Sequence, residues 1–280
     1  MLARSVLLAV CVLFASCSAA PPNAANAPAK RTFVALVPSL AEDLFAIGAG
    51  GRVIGVSQFT DGAPKTIARV ADFQSVDTER IVALHPDVVV GIPSQDRLLG
   101  PLRTAGVHVV LLRDDTYDDI FADMRTLGDL AGLHVQAVQE IARLRAQTAR
   151  LQRTTHAFRR RPSVFFVLGT SPLWTVGPTS YIGHLIFLAG GTDAASIAQP
   201  WGEYSEEALV RAQPDAIVSG SEAHVRDVEA REPWRSLRAL REGHVFTITD
   251  PRIVDALFRP GPHYNEGLHW LIQRLTPLAV

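Results

Sequence analysis

Apolar and small residues recur at steps of three and four along Leu133–Arg161. Ala137, Ile141, Leu144, Thr148, Leu151, Thr155 and Phe158 fall in one stripe, and Glu140, Arg143, Arg150 and Arg153 turn mainly elsewhere. The stretch holds neither Gly nor Pro and is dense in Ala, Leu, Gln, Glu and Arg, residues that lose little on entering a helix. Gly132 precedes it and Pro162 stops it. The pattern predicts one long helix over 133–161, of which ~25 helical residues would span about 38 Å.

On either side of this helix the same pattern is written twice. ERIVALHPDVVVG from Glu79 aligns without gaps with EALVRAQPDAIVS from Glu207, an offset of 207 − 79 = 128 residues. DLFAIGAGG from Asp43 is echoed by HLIFLAGG from His184, and LRTAGVHVVLL from Leu102 by LRALREGHVFTI from Leu237. A helical period followed by a short β-branched run marks α/β units around buried parallel strands. The fold class expected is therefore α/β. Two lobes with parallel sheets, 32–132 and 162–280, are joined by a single bridging helix, with a ligand cleft between them. The alternative is one larger doubly wound sheet built of similar units.

Within the lobes, Phe33–Val37 reads as a buried strand and Leu40–Ile47 as a helix, with Ser39 as N-cap and Glu42 at the capping-box position. GAGG at Gly48 follows a helix and lacks a GKS/T ending, so it reads as a helix stop and not a phosphate loop. Val53–Ser57 is a second strand, followed by a long connection from Gln58 to Thr78. Arg97–Ala105 reads as helix and Val107–Leu112 as strand. An amphipathic helix on Ile120, Met124, Leu127 and Leu130 is capped near Thr116. Val164–Leu168 opens the second lobe. Gly169–Thr179 and Ser196–Tyr204 read as loops carrying Trp174 and Trp201. Asp250–Pro262, with three prolines, reads as irregular before a terminal helix holding Trp270.

Composition narrows the function. The chain of 280 residues is 48% hydrophobic with a net charge of −1, enough core for two domains and no basic face for nucleic acid. Residues 1–20 read as a signal peptide, with one Arg and then an apolar run too short to span a bilayer. Phe14-Ala15-Ser16-Cys17 resembles a lipoprotein cleavage box that would place a lipid on Cys17, and Ser18-Ala19-Ala20 would serve ordinary signal peptidase equally. Residues 21–31, rich in Ala, Pro and Asn, read as a flexible tether. Cys11 and Cys17 are the only cysteines, so the body is expected to have neither a disulfide nor a thiol nucleophile.

There is no GxSxG elbow, no P-loop and no HExxH, and none of the nine histidines form an i, i+4 pair. No catalytic residue, metal or cofactor is therefore expected. In parallel α/β sheets, ligands sit beyond the carboxyl ends of the strands. Phe59, Phe73, Trp174 and Trp201 fall between elements, where a broad ring could stack on them. An exported enzyme would need a titratable cluster in the cleft, for which Asp61, Asp250 and His263 are the candidates.

VPSLAEDLFAIGAGGRVIGVS from Val37, DFQSVDTERIVALHPDVVVG from Asp72, VGPTSYIGHLIFLAGG from Val176 and DPRIVDALFRPGP from Asp250 occur in a specific order. In that order the chain, from about Arg31 to its C-terminus, resembles the helical-backbone class of periplasmic substrate-binding proteins of ABC importers. These capture cobalamin, ferric siderophores and haem, and the likeness is nearest to the cobalamin-binding branch. The resemblance implies a non-enzymatic, extracytoplasmic monomer that delivers its ligand to a permease dimer. It places ligand contacts on Phe59, Phe73, Trp174, Trp201 and Asp250, and permease docking on Glu79 and Glu207. Phe59 stands where a Tyr, and Phe73 where a Trp, is expected. Arg252 and Arg259 are both candidates for the basic partner of Asp250. A siderophore would want converging arginines. Haem would want an iron ligand, for which Tyr181, Tyr204, Tyr264 and His263 are available.

Overall fold

The computed structural model describes residues 30–72 and 74–280. The signal peptide, all but the last two residues of the tether, Cys17 and Phe73 lie outside the described residues. The first lobe runs β1 (Phe33–Ala35), α1 (Pro38–Ala46), β2 (Val53–Ser57), β3 (Ala68–Ala71), α2 (Thr78–Ala83), β4 (Val88–Gly91), α3 (Gly100–Thr104), β5 (Val109–Leu111) and α4 (Tyr117–Ala131). Its sheet is parallel throughout, in the order β3-β2-β1-β4-β5. Helix α5 (His134–Thr155) bridges to the second lobe.

The second lobe contains β6 (Ser163–Thr170), β7 (Leu173–Val176), α6 (Tyr181–Leu188), β8 (Thr192–Asp193), β9 (Trp201–Glu203), α7 (Glu206–Ala212), β10 (Ala216–Ser219) and α8 (Glu222–Ala230). It closes with α9 (Glu232–Arg235), α10 (Arg238–Arg241), β11 (Val245–Thr247), α11 (Pro251–Phe258) and α12 (Tyr264–Ala279). Here the sheet is mixed, which corrects the expectation of two parallel sheets. β11, β10 and β6 are parallel, whereas β7 and β9 extend the sheet antiparallel in the order β11-β10-β6-β7-β9. The stretches read as loops around Trp174 and Trp201 are thus short strands. Flanking Pro and Gly hide runs of only three and four residues.

Alternate residues of the inner strands point to opposite faces, and both faces are buried. Phe33, Val88 and Val90 join a core shared with α1, α4 and α5, while Val34 and Val89 pack under α2 and α3. The second lobe divides likewise, Val164 and Phe166 inward and Phe165 and Val167 outward. The inward cores of the two lobes form one continuous cluster.

The repeat is visible in the backbone. His85 and Gln213, also 128 residues apart, both end their helices in the left-handed region at φ 50° and 44°. Each is followed by Pro-Asp, and each aspartate clasps the strand beside it. Asp87 accepts from the Thr32 backbone N–H (2.7 Å) and hydroxyl (2.9 Å). Asp215 accepts from the Ser163 N–H (2.8 Å) and hydroxyl (3.1 Å).

Three local readings need correction. The bridging helix stops at Thr155, not Arg161, because Phe158 folds over Gly190 and the Arg159 N–H donates to the Ala279 carbonyl at 2.8 Å. Helix α1 begins with Pro38 at its first position and Val37 as N-cap, so Ser39 is not the cap; its hydroxyl reaches Asp114 Oδ2 at 3.4 Å. Residues 251–258 are helical: Pro251 opens α11, Asp250 caps it by accepting from the Arg252 N–H at 3.0 Å, and Pro260 lies beyond its end.

A polar clasp joins the lobes at the bridge. Tyr264 and Asn265 of α12 meet Thr148 of α5, whose Oγ1 lies 2.6 Å from the Tyr264 hydroxyl and donates to Asn265 Oδ1 at 3.0 Å. Asn265 Nδ2 donates to the Leu144 carbonyl, and Tyr117 of α4 donates to the Tyr264 hydroxyl at 3.3 Å. The Tyr117 ring stacks on His184 of α6, with centroids 4.5 Å apart. First lobe, bridge and second lobe are thereby tied at one buried point.

Candidate functional site

The two lobes present the carboxyl ends of their parallel strands toward each other, and the residues that follow those ends wall a cleft. From the first lobe come the turn after β2, with Asp61, and the turn after β5, with Asp114 and Asp115. The second contributes the end of β6, strand β9 and the segment around α11. A cavity of about 290 Å³ lies between Asp114 and Asp115 on one side and Leu168, Trp201, Phe258 and Pro260 on the other. Its base is the N-terminus of α6. There Ser180 caps the helix by accepting from the Gly183 N–H at 2.9 Å, and a Cβ at Gly183 would collide with the Gly177 carbonyl. The register of the antiparallel extension places Val176 opposite Trp201 and Trp174 opposite Glu203. The two tryptophan rings consequently lie side by side, centroids 5.9 Å apart and tilted 33°. Trp201 is 58% exposed and Trp174 half-buried, so this aromatic wall is only partly covered by the protein itself.

Adjoining this is a polar end. Glu42 of α1 and Asp61 face Asp255, Arg259 and His263 across two cavities of about 430 and 260 Å³. Arg259 pairs with Asp255 at 3.1 Å, and its Nη1 is enclosed without a partner. Burial pushes the Glu42 carboxyl up to about 7, against the pull of the nearby His263 and Arg259 charges. Burial raises Asp114, in the cavity wall, to about 6; deeper in the first lobe it raises Asp123 to about 8 and holds Asp43 well above the usual carboxylate range. The polar rim of the cleft is thus acidic on the first-lobe side.

The structure brings some of the expected residues together and separates others. Trp174 and Trp201 form a pair, and Phe59 stands half-buried in the turn after β2, on the lobe opposite them. Asp250, half-buried as the cap of α11, lines none of the cavities described above, and Arg252 is its partner, with Nη2 donating to Asp250 Oδ2 at 2.8 Å; this holds the Asp250 carboxyl low. Arg259 belongs to Asp255 instead. Of the iron-ligand candidates, Tyr264 is fully buried in the clasp, and Tyr181 lines the cavity but its hydroxyl donates to the Ala256 carbonyl, so both hydroxyls are engaged within the protein. Tyr204 packs on Phe165 behind the sheet, and His263 reaches the cleft. Asp61 and His263 share that polar end, whereas Asp250 is engaged by Arg252. No group of three or more His, Cys, Asp or Glu side chains suited to hold a metal ion occurs among the described residues.

Sequence reading missed Glu42, Asp114, Phe258 and the Asp255–Arg259 pair. Glu42 carries the signature of a capping box, and its role at the cleft depends on a loop more than two hundred residues away. The one local signal was the i, i+4 spacing of Asp255 and Arg259, which marks a helix where irregular chain was expected.

Glu79 and Glu207 are exposed and occupy the second position of α2 and α7, each after a capping residue, Asp77 or Ser205. The Asp77 carboxylate accepts from the Arg80 N–H at 3.0 Å, and the Ser205 hydroxyl accepts from Ala208 N–H and donates to Glu207.

Comparison with known proteins follows the same outline. The chain is 31% identical over 255 residues to the vitamin B12-binding protein of Pectobacterium carotovorum, covering 88% of each. It is 25% identical over 257 residues to an ABC transporter substrate-binding lipoprotein of Bacillus subtilis, covering 88% of this chain and 80% of the relative. Among solved structures, the periplasmic vitamin B12 binding protein of Vibrio cholerae superposes with a TM-score of 0.72 at 22% identity, over 89% of this chain and 97% of that one. A periplasmic haem-binding protein of Roseiflexus gives a TM-score of 0.74 at 21% identity, over 90% and 100%. These two likenesses speak for the fold. The family model described as periplasmic binding protein matches residues 34–251, from the first strand through both lobes to the opening of α11, and the chain belongs to that family.

Proposed function

We propose that this protein captures a corrinoid, cobalamin, in the cleft between its lobes and delivers it to the permease of an ABC transporter. It would act outside the cytoplasm as a monomer, with Cys17 as the lipid attachment point where the leader is processed as a lipoprotein. The observation that carries the reading is exposed Trp201, with Trp174 beside it, standing across a cavity from Asp114 and Asp115; Trp174 itself lines a neighbouring cavity with Gly169–Pro172 and His224. A broad ring with apolar faces can lie on the tryptophans, and hydrogen-bond donors on its periphery can meet the carboxylates. The charges argue the same way. Each arginine lining the cleft is matched to a carboxylate: Arg113 to Asp119 at 3.6 Å, Arg143 to Glu140, Arg252 to Asp250, Arg259 to Asp255. An anionic siderophore or the propionates of haem would compete with those partners, and would find Arg259 Nη1 as an enclosed donor without one. The 31% identity to a protein named for vitamin B12 binding supports the same choice.

Titration of the purified mature protein with cobalamin, haemin and a ferric siderophore, followed by absorption difference spectra, tests this. Saturable binding of cobalamin, with the other two weaker, is the expected result. Tight haemin binding with no cobalamin binding would replace cobalamin by haem.

A further inference from the structure

We infer that Glu42 makes this cleft select rings bearing neutral amides over rings bearing carboxylates; the inference rests on the reading of the cleft as a ligand site. Glu42 is half-buried on α1 and lines both polar cavities. Within those cavities each charged side chain of the second lobe has a partner, Arg252 with Asp250 at 2.8 Å, Arg259 with Asp255 at 3.1 Å and His263 with Glu266 at 3.3 Å, while Arg259 Nη1, enclosed, has no hydrogen-bond partner. On the bridging helix Arg143 is held by Glu140. Among the described residues, Glu42 and Asp61 are then the two lining carboxylates whose side chains make no hydrogen bond or ion pair.

An ionised carboxylate only accepts hydrogen bonds, and a half-buried one gains most from a donor that comes with the ligand. A primary amide supplies two N–H donors and no charge. A ligand carboxylate supplies none, and would stand beside Glu42, Asp61 and Asp255 as a like charge in a site partly shielded from water. One group therefore both attracts the amide and repels the acid, which is how a site separates ligands of equal size. Asp61 is exposed and contributes less than Glu42, because solvent screens it. Burial holds the Glu42 carboxyl up to about 7, so a measurement at pH 8 reads its ionised form.

Two matched ligand pairs test the inference: cobalamin with a monocarboxylate made by hydrolysing one of its peripheral amides, and haemin with its bis-amide. Equilibrium dialysis at pH 8 is run on the parent protein and on Glu42→Gln, with melting curves to establish that the variant folds. The parent is expected to prefer the amide member of the bound pair by about tenfold or more, the scale of one hydrogen bond to a charged group. Glu42→Gln keeps the shape but can donate to a carboxylate, and the preference should collapse toward parity. Cobalamin bound with no preference over its monocarboxylate, or with a preference that Glu42→Gln leaves intact, overturns the inference and spares the cobalamin reading. An amide preference within the haemin pair alone, abolished in Glu42→Gln, upholds the inference and removes cobalamin as the ligand. Binding of neither pair overturns both.

Discussion

The hydroxyls of Thr148 and Tyr264 lie 2.6 Å apart where the bridging helix meets the terminal one. Both are buried, and Thr148 also serves Asn265, so the contact fixes α12 against α5. Thr148→Val keeps the volume and removes the hydroxyl, leaving Asn265 Oδ1 without that donor. Stranding buried polar groups costs ~1–3 kcal/mol. At about 2–4 °C per kcal/mol for a chain of this size class, the melting midpoint should fall by several degrees. A thermal melt followed by circular dichroism measures it, and an unchanged midpoint would mean that the clasp is not stabilising.

The same clasp predicts small lobe motion. The apolar core runs without interruption from the first lobe through α5 into the second, and α5 contains no Gly or Pro at which to bend. Closing the cleft by a large rotation would break the stacking of Tyr117 on His184 and the core beneath it. Small-angle scattering curves recorded with and without cobalamin should superimpose; a clear contraction on binding would reject the rigid picture.

How far the fold could be read from the chain depended on which forces were local. The duplicated Pro-Asp strands and the bridging helix were legible, because periodicity and repetition are written along the chain, whereas the left-handed stops at His85 and Gln213 were not, since neither residue is a glycine. Strands β7 and β9 were not, since three or four residues carry no period and their pairing is decided by β6 across the sheet. Prolines misled in the opposite sense at 250–262: Pro251 sits at the first position of α11, where its missing N–H costs nothing. Of the cleft, the tryptophans stood out by residue type. Glu42 did not, because what makes it unusual is the second lobe closing over it.

Trp201 protrudes while Trp174 is half-covered, and their truncations should differ. Trp201→Ala removes an exposed ring and should leave the melting midpoint nearly unchanged while weakening cobalamin binding about fivefold or more, the scale of one stacking contact of ~1 kcal/mol. Trp174→Ala should weaken binding similarly and also lower the midpoint, because its half-buried ring packs beside Trp201. Equilibrium dialysis beside thermal melts separates the effects. Unaltered affinity in both variants would remove the aromatic wall from the binding site.

The buried carboxyls set the pH dependence of stability. Burial raises Glu42 and Asp193 to about 7, Asp114 to about 6 and Asp123 to about 8, from ordinary values of about 4. Between those limits the native chain holds protons that the unfolded chain releases, so stability falls as pH rises. Below about pH 4 the sign reverses, because Asp87 and Asp215, held low by their bonds to Thr32 and Ser163, lose those bonds on protonation. The melting midpoint should therefore climb from pH 8 to about pH 5 and drop again in stronger acid. A midpoint that increases steadily from pH 5 to pH 8 would show that these carboxyls are solvated.

Glu79 and Glu207 offer the sharpest test of the permease reading. Both are exposed at the second position of equivalent short helices in the two repeats, so the protein presents one acidic point per lobe. A homodimeric permease has true two-fold symmetry, and a basic patch on each subunit could meet one glutamate each. Favourable placement at a helix N-terminus would also account for the pair. That role differs between the repeats in detail: Ser205 donates to Glu207 and holds its carboxyl low, while Asp77 caps α2 through its own carboxylate. Glu79→Arg combined with Glu207→Arg separates the two roles, since neither side chain touches the cleft. Docking predicts that the double variant binds cobalamin like the parent but no longer associates with the permease in proteoliposomes or supports uptake. A helix-start role alone predicts normal uptake with a slightly lower melting midpoint, and uptake at the parent rate would exclude docking through these residues.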